Sequence, residues 1–352
     1  MLTSDNRFCR PTPTRSGGGA TTSLVNASAG RREELICGIP VDHNSSAEAF
    51  WWLTAAMNWK WAQTHRYELL AYCTDEPCVH PDSGEVRSAQ WCKLLAIADV
   101  IAHGRYDSIL YLDTDAYWID PKLSVDDGLV LKFAPGLRLG LTGQPKQFAV
   151  SAYFGCNSPW NSCGVTWNSS AMFAKRGSAN SGVVLMRSNP HMHQILREWW
   201  HARNGWARPN HLRRPGSCSD QAVLWRLWSQ RPDLSVRMRV MGNSLSKCMT
   251  VIGPRRRQRL FGSPIEHIVS LSPRYRQRGL SEAWTVGGAH HDPLWCVTRV
   301  RLSAAISARR LFGHVNSSHR GGPRGRWFDN HPVESLAWNE QHVAEPMVAR
   351  QI

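Results

Sequence analysis

The chain has 352 residues, 42% of them hydrophobic, which is enough for one large α/β domain or two small ones with a sizeable core. The net charge of +15 fits a phosphate-rich ligand, a nucleic acid or a basic surface, but no motif of a nucleic-acid-binding module is present. No segment reaches the roughly 18 consecutive apolar residues that a membrane-spanning helix needs.

The first third of the chain alternates between strand and helix patterns. Residues 1–33 are polar and rich in Gly and Ser, which predicts a disordered tail. The segments that follow are predicted as strand 35–40, helix 47–65, strand 67–72, helix 88–103 and strand 108–112. This alternation is typical of an α/β fold with a doubly wound, mostly parallel sheet flanked by helices.

The remainder of the chain is less regular. The predicted elements are strands 137–142, 182–186 and 234–241, helices 190–203 and 220–229, and a loop over 151–170. Residues 301–352 are basic, rich in Gly and Pro and without periodicity, so they are predicted as a peripheral tail. We therefore expect a tail at 1–33, a folded domain at 34–300 and a second tail at 301–352.

The segment Tyr111-Leu-Asp-Thr-Asp-Ala116 carries the strongest chemical signal. Asp113 and Asp115 follow the apolar strand predicted at 108–112, at the sheet edge where open α/β folds bind their ligands. Side chains two positions apart on a strand point the same way, so the pattern offers two hard oxygen ligands to a divalent cation and a diphosphate. The alternative is a strand end whose Asp residues cap the next element.

The cysteine content favours an oxidising compartment. Ten Cys are present. The sequence contains no Cys-x2-Cys pair, which argues against a structural zinc site. The short spacings predict at least one disulfide, with Cys73–Cys78 and Cys156–Cys163 as candidates. Four Asn-x-Ser sequons also favour a secretory lumen, at positions 26, 44, 168 and 316. Residues 1–33 lack the apolar core of a signal peptide, and no membrane anchor is visible in the sequence.

Several short motifs occur in an order that is similar to one enzyme family. They are Asn-x3-Ala-x2-His-x-Tyr at 58–67, Trp-x-Lys at 91–93, the Asp-x-Asp segment at 111–116, Asn-Ser-Gly-Val-Val-Leu-Met-Arg at 180–187 and Asp-Gln-Ala-Val-Leu at 220–224. Together they resemble the family of yeast Golgi α-galactosyl- and mannosyltransferases and plant xyloglucan xylosyltransferases. The resemblance covers roughly residues 35–295 and implies a GT-A fold.

The resemblance also implies an activity. The expected reaction is a retaining transfer of a hexosyl or pentosyl group from UDP-Gal, UDP-Xyl or GDP-Man to a glycan acceptor, with Mn²⁺, in the Golgi or the secretory lumen. Asp113 and Asp115 would bind the metal, and Asp113 would also contact the donor. Lys93, Asn180 and Gly182 would lie at the donor. Lys93 as a helix-surface residue and Gly182 as a bulge or packing residue are the alternatives.

Two further groups of residues follow from the resemblance. Asp220 and Gln221 begin a predicted helix and would lie beside the transferred sugar as catalytic residues, although Asp220 can also be read as a helix cap. A late His would complete the metal shell. His290 and His291 in Gly-Gly-Ala-His-His are the candidates, and His267 before an apolar stretch is a third.

Three other functions compete with this interpretation. The charge of +15 allows a polyanion or nucleic-acid-binding protein, but such a protein has no use for paired carboxylates in a cleft. A catalytically inactive GT-A subunit is disfavoured because both carboxylates are intact. An inverting GT-A enzyme is the nearest alternative, and the sequence does not fix the donor sugar or the acceptor.

Overall fold

The computed structural model describes residues 2–4, 21–28, 30–37, 50–74, 76–87, 89–118, 122–125, 148–152, 179–202, 220–221, 223–224, 227, 238–241, 246–250, 265–269 and 296–313. These residues belong to a unit that spans Met1–His314, and a second unit, Val315–Ile352, lies outside them. The predicted strand 137–142 also lies outside the described residues.

The named elements of the described residues are twelve strands and four helices. The strands are β1 (Leu2–Ser4), β2 (Thr21–Ser28), β3 (Arg31–Cys37), β4 (Leu70–Thr74), β5 (Ser108–Leu112), β6 (Ala116–Trp118), β7 (Phe148–Ala152), β8 (Ala179–Arg187), β9 (Met238–Met241), β10 (Ser246–Thr250), β11 (Ile265–Val269) and β12 (Cys296–Leu302). The helices are α1 (Phe50–Thr64), α2 (Ala89–His103), α3 (Pro190–Ala202) and α4 (Ala304–Phe312).

Nine strands form one mixed sheet in the order β2-β3-β12-β4-β1-β5-β8-β7-β9. The central strands β12, β4, β1 and β5 are parallel, whereas β8 is antiparallel to β5 and β3 is antiparallel to β12. The α/β class is therefore confirmed, but the predicted mostly parallel character holds only at the centre. Strands β10, β11 and β6 form a second, smaller sheet.

The alternation of side chains along β5 explains why helices cover both faces of the large sheet. Ile109 and Tyr111 belong to a core cluster shared with α2, α3 and α4, while Leu110 and Leu112 belong to a cluster shared with α1. A strand buried on both faces needs a continuous apolar run, which is the pattern that predicted this strand. Its predicted bounds, 108–112, are those of β5.

Two predicted tails contain ordered elements, which corrects the expected boundaries. Strands β1 and β2 lie in the segment predicted as a disordered tail, and β1 occupies the centre of the sheet between β4 and β5. At the other end, β12 continues to residue 302 and α4 follows at 304–312, where a peripheral tail was predicted. A three-residue strand shows no readable periodicity, so β1 left no signal in the sequence.

Helix α2 is attached to its surroundings by a buried carboxylate and a disulfide. Asp99 accepts hydrogen bonds from Nε of Arg31 at 2.8 Å, the hydroxyl of Tyr72 at 2.8 Å and Nη2 of Arg310 at 2.6 Å. Cys92 is bonded to Cys78, which confirms a disulfide.

The predicted disulfide pairing is wrong in one case. Cys78 pairs with Cys92, so it does not pair with Cys73, which is itself disulfide-bonded. The other candidate pair, Cys156–Cys163, lies outside the described residues.

Among the residues that the structure describes, no helix combines the length and the apolar character needed to cross a bilayer.

The segment after the Asp-x-Asp motif is held by a side chain of α1. The amide of buried Asn58 donates from Nδ2 to the carbonyl of Ala116 and accepts at Oδ1 from the backbone N–H of Trp118, both at 3.0 Å. One side chain thus satisfies two backbone groups of β6, as a neighbouring strand would.

We predict that Asn58→Ala lowers the free energy of unfolding by about 2–4 kcal/mol, because it leaves two buried backbone groups of β6 without their partner. Urea unfolding followed by circular dichroism measures this change. The control is Thr64→Ala in the same helix, which removes an exposed hydroxyl bonded to the Lys60 carbonyl and is expected to stay within about 0.5 kcal/mol of the wild type. Equal losses in both variants would contradict the prediction.

Candidate active site

The two carboxylates of the Asp-x-Asp motif are displayed by a turn. Strand β5 ends at Leu112, and the N–H of Asp113 donates to the carbonyl of Gly182 at 2.7 Å, which extends the pairing with β8 by one residue. The N–H of Ala116 then donates to the carbonyl of Asp113 at 2.9 Å and closes the turn. The predicted arrangement along a straight pleat is therefore wrong, because the backbone leaves the strand between the two Asp residues.

The turn gives the two carboxylates different environments. The side chain of Asp113 is 34% exposed, whereas Asp115 is buried with 7% of its surface exposed. The hydroxyl of Tyr111, on the same strand, donates to Oδ1 of Asp113 at 2.9 Å. Asp113 is therefore the carboxylate of the motif that is more accessible from solvent, and Asp115 is largely inaccessible.

Lys93 projects from α2 into the same region. Its Nζ lies 2.7 Å from Oδ2 of Asp220, 3.0 Å from the carbonyl oxygen of Ser181 and 2.9 Å from the hydroxyl oxygen of Ser181. Oδ1 of Asp113 lies 3.8 Å from the same nitrogen. Because Lys93 is buried with these partners, the alternative of a helix-surface lysine is wrong.

Lys93 is held in its charged form. Burial acts to lower the pKa of Lys93, but Asp113 and Asp220, together with Asp115, outweigh it, and the pKa is raised above its usual value. An ammonium group has three N–H donors, and the three short contacts to Ser181 and Asp220 use all of them. A direct contact between Lys93 and a donor phosphate would have to replace one of these bonds.

Asp220 and Gln221 lie beside Lys93 at the start of a helical segment. Asp220 is 2% exposed, and Oδ2 of its carboxylate also accepts from the hydroxyl of Ser181 at 2.8 Å. Oε1 of Gln221 accepts from the backbone N–H of Ser181 at 3.1 Å. The carbonyl of Asp220 accepts from Nε1 of Trp199 at 2.8 Å. The described partners of the Asp220 carboxylate, Lys93 and Ser181, lie on other elements.

Residues predicted from separate segments therefore meet in one place. Lys93, Asp113, Gly182, Asp220 and Gln221 are joined by hydrogen bonds or ion pairs, directly or through Ser181. Ser181 joins most of these residues, but the sequence analysis assigned it no role. Its position between the predicted site residues Asn180 and Gly182 was the signal that could have identified it.

The remaining predicted residues are described only in part. Asn180 lies in β8, but its side chain is outside the described residues, as are His290 and His291. The third late His, His267, lies in β11 and is paired with Ala116 of β6, next to Asp115. The sequence pattern did not predict this pairing between β11 and β6.

Carboxylates predominate among the described charged groups of the site. Asp113, Asp115 and Asp220 all act on the ammonium group of Lys93. Carboxylate oxygens are the ligands that Mn²⁺ and Mg²⁺ prefer. Within the described ranges no third His, Cys, Asp or Glu joins Asp113 and Asp115 at metal-binding distance.

A second cluster, formed by His80, Asp82 and His201, has ligand atoms within 4.8 Å of one another. The backbone N–H groups of Asp82 and Ser83 lie 3.3 Å from Nδ1 of His80, so that nitrogen accepts and the ring proton is on Nε2. Nε2 of His80 then donates to Nδ1 of His201 at 2.9 Å, and Nε2 of His201 faces the carbonyl of Phe312 at 3.3 Å.

This arrangement of protons opposes metal binding. A metal at the cluster would need an unprotonated Nε2 on His80, whereas the two backbone N–H groups require the proton to be there. The cluster is better described as a neutral hydrogen-bonded pair that attaches the segment 76–87 to the ends of α3 and α4.

Comparison with known proteins adds little. No protein-family model matches the chain, and no curated protein matches it. Among solved structures, the chain is similar to a glycosyltransferase involved in the glycosylation of the major capsid of PBCV-1, with 14% sequence identity and a TM-score of 0.41. The match covers 69% of this chain and 95% of that chain. At this distance the likeness carries no argument, and the proposals below rest on the geometry of the site.

We predict that the protein loses stability in mild acid through His201. Burial lowers the pKa of His201 below its usual 6.5, outweighing the nearby Asp82, which acts to raise it. The folded-state pKa is therefore below the unfolded one, so the stabilisation is complete above about pH 6.5 and is lost as the pH falls through the folded-state pKa. Thermal unfolding at a series of pH values measures the effect.

The matched variants are His201→Asn, which keeps an acceptor for His80 but cannot titrate, and His191→Asn at an exposed position of the same helix. The first is expected to flatten the pH dependence and the second to leave it unchanged. Burial also lowers the pKa of His193, which is present in both variants. Some dependence of the unfolding temperature on pH is therefore expected to remain in both. Identical slopes in the wild type and His201→Asn would contradict the prediction.

Proposed function

We propose that the protein is a metal-dependent glycosyltransferase with a GT-A fold that uses a nucleotide diphosphate sugar. The observation that carries the proposal is the joining of Asp220 to the Asp-x-Asp turn through Lys93, whose nitrogen lies 2.7 Å from Asp220 and 3.8 Å from Asp113. A sugar-nucleotide transferase needs both groups in one cleft, one for the diphosphate and one for the sugar. The motif order of the sequence supports the same reading.

The residues present fit a divalent cation. Asp113 and Asp115 offer hard oxygen ligands, and the side chain of Asp113 is 34% exposed to solvent. Mn²⁺ held by Asp113 and Asp115 would neutralise the charge on the departing nucleotide diphosphate. A His is the expected further ligand, and His267, His290 and His291 are the candidates.

Asp220 and Gln221 are proposed to act on the sugar. In a retaining transfer, positive charge develops at the anomeric carbon, and a carboxylate on the face opposite the nucleotide stabilises it. Lys93 would hold Asp220 in position rather than bind phosphate. The acceptor is proposed to be a glycan, and the buried Cys78–Cys92 disulfide supports a Golgi or other secretory compartment.

The test of the proposal is hydrolysis of UDP-Gal, UDP-Xyl and GDP-Man by the purified protein, with Mn²⁺ and with EDTA. Release of the nucleotide diphosphate from one donor, dependent on Mn²⁺, is the expected result. The absence of hydrolysis of all three donors, together with no binding of UDP or GDP in the presence of Mn²⁺, would overturn the proposal.

We predict that Asp113→Asn and Asp115→Asn each lower the turnover of that donor by roughly 100-fold or more, because each removes one charged ligand of the diphosphate-bound cation. The control is Asp107→Asn, an exposed residue just before the same strand. Its turnover is expected to equal that of the wild type. Full activity of Asp115→Asn would show that this carboxylate has no part in the reaction.

We predict that Gln221→Ala lowers kcat far more than it weakens nucleotide binding, because it would act on the charge that develops during transfer. Asp220→Asn is expected to lower both turnover and stability, since it leaves Lys93 buried with a neutral partner. Thermal unfolding must therefore accompany its kinetics. NMR of the product anomer decides the stereochemistry, and inversion would favour the inverting alternative.

A further inference from the structure

Ser181 uses every polar group it has within the candidate active site. Its N–H donates to Oε1 of Gln221, its carbonyl accepts from Nζ of Lys93, and its hydroxyl contacts both Lys93 and Asp220. We infer that Ser181 is the positioning residue of the site, which fixes the orientation of Asp220 and Gln221 together. The inference rests on the proposed function.

The strand geometry explains why the backbone of Ser181 is available. Val150 of β7 pairs with Val184, but the next residue, Ser151, pairs with Asn180. Three residues of β8, from Ser181 to Val183, therefore stand between pairs that are consecutive on β7. Such an irregularity interrupts the ladder and redirects side chains, and it commonly lies beside an active site. At Ser181 it turns the N–H and the carbonyl toward Gln221 and Lys93.

The proton of the Ser181 hydroxyl has one possible direction. The ammonium group of Lys93 has donors only, so the hydroxyl oxygen must accept from it at 2.9 Å. The single hydroxyl proton is then donated to Oδ2 of Asp220 at 2.8 Å. Lys93 also contacts Oδ2, so both described contacts of the carboxylate are made by that oxygen.

The side-chain amide of Gln221 is oriented in the same way. A backbone N–H can only donate, so the Gln221 atom 3.1 Å from the Ser181 nitrogen must be the oxygen. The NH₂ group of the amide is consequently directed away from Ser181. One serine thus orients both a carboxylate and an amide, which are groups that can form hydrogen bonds with the hydroxyl groups of a sugar.

A substitution can remove the hydroxyl bond to Asp220 without removing the backbone bond to Gln221. Ser181→Ala removes the hydroxyl and so the bond to Asp220, but it keeps the backbone N–H that orients Gln221. The Asp220 carboxylate then loses one of the bonds that fix its orientation. We expect kcat to fall by about 10- to 100-fold with little change in KM for the donor.

The kinetic test compares the wild type with Ser181→Ala, Ser181→Thr and Ser188→Ala on the donor that the wild type hydrolyses. Ser181→Thr keeps the hydroxyl and is expected to restore most of kcat. Ser188→Ala removes a buried hydroxyl just after the same strand, and it is expected to behave like the wild type. If Ser181→Ala keeps the wild-type kcat, the inference falls while the proposed function stands.

A second measurement does not need activity. It is a double-mutant cycle of Ser181→Ala and Asp220→Ala, in which the free energy of unfolding of each single variant and of the double variant is measured in urea. Because the Ser181 hydroxyl bonds to the Asp220 carboxylate, the two losses are expected to be non-additive. A serine that only fills space would give additive losses, and this result would overturn the inference. If no donor is hydrolysed by the wild type, the proposed function fails, and the cycle alone decides whether Ser181 is coupled to Asp220.

Discussion

The buried ion pair between Lys93 and Asp220 is the interaction on which the rest of the site depends. Removing two charges from water costs several kcal/mol each, and the cost is recovered only when the geometry and the additional hydrogen bonds are good. Here Ser181 supplies those bonds, and α2, β8 and the helical segment at 220 must all be in place for them to form. The position of each element is therefore tied to the other two.

The large sheet provides the frame for this ion pair. Strand β5 carries the Asp-x-Asp turn, and its antiparallel neighbour β8 carries Ser181, so the Asp113 N–H can bond directly to the carbonyl of Gly182. On the helix side, α2 is fixed by the buried Asp99 and by the Cys78–Cys92 disulfide. These contacts do not involve the site residues themselves, but they fix the position of the helix that carries Lys93.

The sequence predicted the parts of the site that repeat a local pattern. The apolar run of β5 and the amphipathic α2 were readable, and the strand end identified Asp113, whereas Lys93 and Asp220 were predicted from the resemblance of the motifs to an enzyme family. The turn at residues 114–115 and the irregularity in β8 were not readable, because they follow from pairing between distant segments. The same limit applies to β1, a central strand of three residues, and to the partner of Cys78, which spacing alone does not determine.

The two ways in which Ser181 holds its neighbours have different tolerances to sequence change. A backbone N–H is supplied by every residue except proline, so the bond that orients Gln221 does not itself require the serine side chain. A hydroxyl is supplied by few side chains, so the bond to Asp220 does require one of them. A single substitution at position 181 can therefore change the orientation of the Asp220 carboxylate while the backbone bond to Gln221 is retained.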